Sequence, residues 1–142
     1  MQIILLPPGA TSGYQPLDVN GFRIWKAFVR KISSEIRLLG DAVNITLGQR
    51  NSILKIQFIT HNQLSSPQFK EMWKYPWQKI GYVVCESPSF MHPVRFCFDQ
   101  SCEQCATCND TKFLRCSWCS LYYCIKHVLF DFHYCKTYVV KE

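Results

Sequence analysis

Eight thiolate and imidazole side chains recur as four close pairs in the last third of the chain: Cys105-x2-Cys108, Cys116-x2-Cys119, Cys124-x2-His127 and His133-x-Cys135. Nothing else in the sequence restricts the fold as strongly. A borderline-soft d10 cation such as Zn2+ takes four such donors in a tetrahedron, so eight donors in four pairs supply two structural Zn2+ sites. In a cross-brace arrangement alternate pairs share an ion. Cys105, Cys108, Cys124 and His127 then form one site, and Cys116, Cys119, His133 and Cys135 the other. Both sites are closed, leaving no position for water or substrate, so the expected metal is structural. Its binding energy becomes folding energy, on the order of 10 kcal/mol per site, which so short a segment needs. Cys102-x2-Cys105 is also a permissible ligand pair and competes with Cys105-x2-Cys108 by a register slip; the later pair is preferred.

The chain has nine cysteines, an odd number, and six of them sit in this ladder beside two histidines. That pattern favours metal in a reducing, intracellular compartment over a secreted disulfide framework. Over 142 residues, 48% apolar content is enough for folded structure. The apolar stretch Ile3 to Leu6 lacks a basic flank and breaks at Pro7-Pro8, too short for a signal peptide or a membrane span. The basic excess lies at the front: residues 1 to 90 hold ten Lys/Arg against five Asp/Glu, and residues 91 to 142 six against five. Six thiolates and two Zn2+ would bring the tail to about −1, a poor phosphate binder and a better protein-facing surface.

Ahead of the ladder, Gln2 to Leu6 reads as a short buried strand and Ala10 to Pro16 as a turn-rich loop. A helix is expected from about Val19 to Leu39, with Phe22, Trp25, Val29, Ile32 and Ile36 on its apolar face and Gly40 ending it. Arg23, Lys26, Arg30 and Arg37 form a basic stripe on an adjoining side, either a solvated face or a phosphate contact. Residues 43–84 read as a helical hairpin, although Ser52 to Thr60 also fits a strand by alternation. The second helix is marked by Ser66 as N-cap and Pro67 at the first position, with Phe69, Met72, Trp73, Trp77 and Ile80 on one face and a kink at Pro76. Residues 85–101 form a connector that includes the strand-like run Val94 to Phe98, with Cys85 and Cys97 as buried filler. The finger then occupies residues 102–138. The fold class is α+β, mainly helical.

Two resemblances extend this reading. The ending Cys124-x2-His127-x5-His133-x-Cys135, preceded by Cys119-x4 and accompanied by Phe113 and Tyr123, resembles the "AN-one" type zinc finger. The gap between the first two pairs, seven residues, is shorter than that family's usual one. The tail is also similar to the cysteine-rich tails of some transposases, including the piggyBac type. Such fingers are associated with binding protein or transposon ends.

The front segment Leu6-Pro7-Pro8-Gly9-Ala10-Thr11-Ser12-Gly13-Tyr14-Gln15-Pro16-Leu17-Asp18 closely resembles the closing motif of pogo and Tigger type transposases of the Tc/mariner superfamily. The resemblance covers about residues 1 to 42 and implies the last strand and helix of an RNase H-like nuclease domain. In that family three carboxylates hold two divalent ions, Mg2+ or Mn2+, for DNA strand cleavage and transfer. Asp18 falls on the third carboxylate position. The other two are absent from residues 1 to 17, so the chain is expected to be catalytically inactive alone, as a truncated or domesticated remnant. Without such partners Asp18 has an ordinary alternative role as the N-cap of the following helix. The resemblance further implies a nuclear protein with a protein partner for the finger and DNA as a possible partner of the basic helix. No membrane and no small-molecule substrate are expected. A non-enzymatic protein-interaction module is the second reading.

Overall fold

A computed structural model describes residues 8–40, 43–84 and 89–135. The expected strand at residues 2–6 and Cys85 lie outside the described residues. The order of elements is α1 (Thr11–Tyr14), a π-type turn (Leu17–Gly21), α2 (Phe22–Leu38), α3 (Arg50–Leu64), a 3-10 turn (Pro67–Phe69), α4 (Lys70–Lys79), α5 (Pro93–Cys97), β1 (Leu114–Arg115), β2 (Tyr122–Tyr123) and a second π-type turn (Lys126–Phe130). The fold is thus mainly helical with one small sheet, in which Leu114 faces Tyr123 and Arg115 faces Tyr122 in antiparallel register.

α2 is the central helix. Ile24, Phe28, Ile32 and Ile36 recur at four-residue steps and are all buried. This face is rotated from the expected one: Phe22 is exposed, while Trp25 and Val29 are half-buried at the margin. Both stripes satisfy helical periodicity, and packing against α3 and α5 selects the one carrying Phe28. The helix ends at Gly40, whose φ of +55° lies in the left-handed region that glycine enters without strain.

Residues 50–64 are helical, which removes the strand alternative for Ser52 to Thr60. Thr60 donates its hydroxyl to the Ile56 carbonyl at 2.8 Å, which satisfies a buried polar group inside the helix. Ser66 caps the next turn, its hydroxyl oxygen accepting from the Gln68 N–H at 3.2 Å with Pro67 directly after it. α4 runs through Pro76, burying Met72 and Pro76 but leaving Trp77 exposed. α3 lies along α2, α4 lies on the turn at residues 17–21, and the Trp73 indole N–H bonded to the Leu64 carbonyl at 2.8 Å ties the two helices near their junction.

The run Val94 to Phe98 is not a strand. Pro93 fixes the first helical φ, and the His92 ring nitrogen accepts from the Val94 N–H at 3.3 Å, so residues 93–97 coil into α5. α5 buries Phe96 and Cys97 between the helices and the Cys/His tail. Phe98 sits between Phe28 and Phe113, with ring centroids at 5.5 and 6.2 Å. The buried apolar side chains of α2, α3, α5 and the tail therefore form one continuous core.

Candidate metal centre

Two local backbone devices aim the cysteines. In Cys105-x2-Cys108 the next residue, Asn109, has φ +57° and its N–H returns to the Cys105 carbonyl at 3.0 Å. In Cys116-x2-Cys119 the next residue, Ser120, has φ +60° and its N–H returns to the Cys116 carbonyl at 2.8 Å. Each loop thus doubles back over two residues and points both thiols to one side. Asn tolerates this left-handed backbone better than Ser does, so the second loop holds more strain. β2 then delivers Cys124, and the turn after it delivers His127.

The eight donors gather into two groups: Cys105, Cys108, Cys124 and His127, and Cys116, Cys119, His133 and Cys135. Within each group one ligand atom from every residue lies within 4.8 Å of the others. The pairs therefore alternate along the chain between the two groups, and Cys102 is exposed and stands in neither. In the first group His127 Nδ1 lies 3.4 Å from Cys105 Sγ, 3.6 Å from Cys108 Sγ and 3.2 Å from Cys124 Sγ. In the second, His133 Nε2 lies 3.6 Å from Cys119 Sγ and 3.0 Å from Cys135 Sγ. The edges of a tetrahedron with metal–ligand bonds of about 2.0–2.3 Å fall near 3.5 Å. The donor sets and their spacing therefore fit one metal ion each.

The surroundings hold the rings and sulfurs in place. The far nitrogen of His127, Nε2, lies 3.6 Å from Asp131 Oδ2, the position of a carboxylate that orients a ligating imidazole. Tyr123 stacks on the His133 ring at 3.7 Å between centroids, and its hydroxyl lies 3.7 Å from Cys119 Sγ. The hydrogen bond with Cys116, and after it those with His133, the Leu121 N–H and Tyr123, outweigh burial and draw the Cys119 thiol down. The same hydrogen bond and burial push Cys116 up. A metal held by this pair requires both sulfurs as thiolates.

The second group is docked on the end of α3 by Asn62, Gln63, Ser117 and Trp118, which the sequence did not single out, and by Ser66, which it marked only as a helix cap. The Ser117 hydroxyl donates to Gln63 at 2.8 Å, and the Ser66 hydroxyl donates to the Ser117 carbonyl at 2.7 Å. Trp118 Nε1–H donates to the Asn62 carbonyl at 2.8 Å. Asn62, Gln63, Ser66 and Ser117 are all buried. On the other flank Asp99 accepts from Lys112, from the Tyr122 hydroxyl at 2.7 Å and from the Ser101 hydroxyl at 2.8 Å. Partial burial alone would raise the Asp99 carboxyl, but these donors outweigh it and hold it well below the usual range. Arg115 packs over the Phe96 ring at 4.4 Å and completes this clasp between α5 and the sheet.

Asp18 lies elsewhere, exposed in the first π-type turn. It is not an N-cap: Pro16 precedes that turn and Gly21 precedes α2, neither with a side-chain cap. Its position in the first turn still favours a negative charge through the helix dipole. Among the described residues the two Cys/His groups are the clusters able to hold a metal ion, and Asp18 belongs to neither. Arg23, Lys26, Arg30 and Arg37 are exposed along α2, and the Arg23 guanidinium donates to Asn20 Oδ1 at 2.7 Å. Among the described residues no helix is long and apolar enough to cross a membrane.

Residues 77–135 match the family model of the Tc5 transposase C-terminal domain. The matched span runs from the end of α4 to Cys135 and contains all eight donors. No curated protein and no solved structure matches the chain. The match and the two donor groups together fit a transposase-derived segment.

Proposed function

We propose that the chain is the C-terminal part of a transposase of pogo or Tigger type, in which a two-zinc cross-brace module steadies a helical body that contacts DNA. The observation that carries this reading is the coincidence of the two donor quartets with the span matching a transposase C-terminal domain. Soft thiolate and imidazole donors at tetrahedral spacing favour Zn2+ over a hard cation. When bound, the two ions would cross-link segments whose strand pairing is short, a two-residue ladder and one isolated bridge among the described residues.

The resemblance of residues 1–42 to the end of an RNase H-like domain supports Asp18 as a third carboxylate of a larger site that binds Mg2+ or Mn2+. On this reading the chain alone lacks the other two carboxylates and does not cleave DNA strands. DNA contact is assigned to α2, which carries five Lys/Arg and one acidic residue, Glu35. Arg23, Arg30 and Arg37 recur at seven-residue steps and so lie along one line of the helix. The near-neutral finger is better suited to a protein partner in a nuclear assembly.

The test is retention on a duplex carrying a transposon-like end, with and without Mg2+ or Mn2+. Wild-type protein should bind with salt-sensitive affinity and leave the strands intact. Charge reversal at Lys26, Arg30 and Arg37 should abolish retention. Metal-dependent nicking by the purified chain would overturn the inactivity, and salt-insensitive retention by the triple variant would overturn the role of α2.

A further inference from the structure

A groove of about 700 Å³ opens beside α2, lined by Asn20, Arg23, Ala27, Tyr75, Phe90 and His92 among others. It is separate from both donor quartets, and no carboxylate is among its described lining residues. The small side chain of Ala27 leaves its floor open. Arg23 does not wave freely in solvent, because its guanidinium is fixed to the buried Asn20 at 2.7 Å. His92 lies where burial first, and then Arg23 and Arg95, disfavour its protonation, so positive potential converges on this end of the groove. Tyr75 and Phe90, which also line the groove, form a tilted pair with centroids 5.5 Å apart.

A guanidinium and an imidazole line the same groove as an aromatic pair and present two different chemistries, one suited to a phosphate and one to a base. A bare anion would use the first and leave the second idle. The volume lies in the range of sites that enclose a small organic ligand. Arg30 follows Arg23 by seven residues, about 10 Å along the same line of the helix, which continues a track for a strand and not for an isolated nucleotide. Base stacking on aromatic rings with a basic path for the backbone is the physical basis of single-strand binding.

We propose that this groove takes an unpaired nucleotide of a DNA strand, with its phosphate on Arg23 and His92 and its base against Tyr75 and Phe90. The assignment rests on the reading of α2 as the DNA-contacting helix and deepens it. It also gives a role to a groove that duplex binding along an exposed stripe would not need.

The experiment uses the full zinc-loaded chain and fluorescence anisotropy with labelled oligodeoxythymidine, the matching A·T duplex, and thymidine monophosphate as competitor. The single strand should bind more tightly than the duplex. Arg23→Ala and Tyr75→Leu should each weaken single-strand binding on the order of tenfold, and Tyr75→Leu, which lies off the basic line of α2, should change duplex binding far less. Thymidine monophosphate should compete only at much higher concentration. Circular dichroism and zinc content verify that the variants fold, and the exposed Arg23 gives a substitution that does not disturb the core. Equal losses on both DNA forms from Tyr75→Leu, or no loss of single-strand binding from either substitution, would overturn the proposal while leaving duplex binding by α2 standing. Displacement by thymidine monophosphate as readily as by the oligonucleotide would overturn the assignment to a strand. Failure to bind any DNA would remove the reading on which the proposal rests.

Discussion

The Gln63 side-chain oxygen accepts the backbone N–H of Ser117 at 2.7 Å. The bond joins the last turn of α3 to the loop between Cys116 and Cys119. The Gln63 amide group also donates to the Asn62 side chain at 3.0 Å and reaches Cys116 Sγ at 3.9 Å. The metal-ligand loop is therefore seated on the helical body through a buried polar network, and the two parts are expected to unfold together.

Gln63→Ala should leave the Ser117 N–H buried without its acceptor. The expected loss is about 1–3 kcal/mol of unfolding free energy, read from urea denaturation of the zinc-loaded protein. Gln63→Glu keeps the acceptor for Ser117 but sets a negative charge beside Cys116 and should be at least as destabilising. A neutral outcome for both would show that the loop does not depend on α3.

Phe28 is fully buried and touches the Phe98 ring that in turn meets Phe113 of the tail. Truncation to alanine should cost about 3–5 kcal/mol. Phe22→Ala, at the exposed position, should cost far less. A comparison of their thermal midpoints checks which face of α2 is the core.

Asp99→Asn should destabilise the protein at neutral pH by weakening the bonds to Lys112 and Tyr122. A carboxyl group whose folded pKa is depressed contributes stability above its unfolded pKa of about 4 and loses it as pH falls through the lower folded value. Its contribution is therefore constant from about pH 8 to pH 5. Denaturation curves of wild type and variant across that window should run parallel, with the variant below. Convergence of the two within the window would contradict the assignment of Asp99 as an ionised clasp.

The donor pairs were legible in the sequence because coordination chemistry imposes their spacing directly, and the start of the 3-10 turn and α4 was legible from the cap chemistry of Ser66-Pro67. The docking of the tail was not. Gln63, Asn62 and Ser66 act through tertiary hydrogen bonds, which leave no periodic mark on a helix. Phe22 and Phe28 both fit helical repeats, so periodicity alone could not say which faces the core. Val94 to Phe98 looks strand-like by apolar content, and the signal that corrects it, His92 capping ahead of Pro93, depends on a residue type seldom read as a cap. The groove joins Arg23 to Tyr75 and His92 across long stretches of sequence, and only the packing of α4 and the 89–92 segment beside α2 brings them together.

Removing one ligand should remove one ion and not two. Cys108→Ser should keep the ion of the Cys116 group, and His133→Ala should keep that of the Cys105 group. Cys102→Ser should keep both, since Cys102 lies outside each group. Zinc release into a colorimetric chelator after denaturation gives the stoichiometries.

The most direct test of the two-site account is native mass spectrometry of the chain purified under reducing conditions. The account predicts two Zn2+ per chain with all nine cysteines free of disulfides, and collapse of the helical signal when a chelator strips the ions. A chain that carries no metal, or whose mass shows the ladder cysteines joined as disulfides, would contradict it.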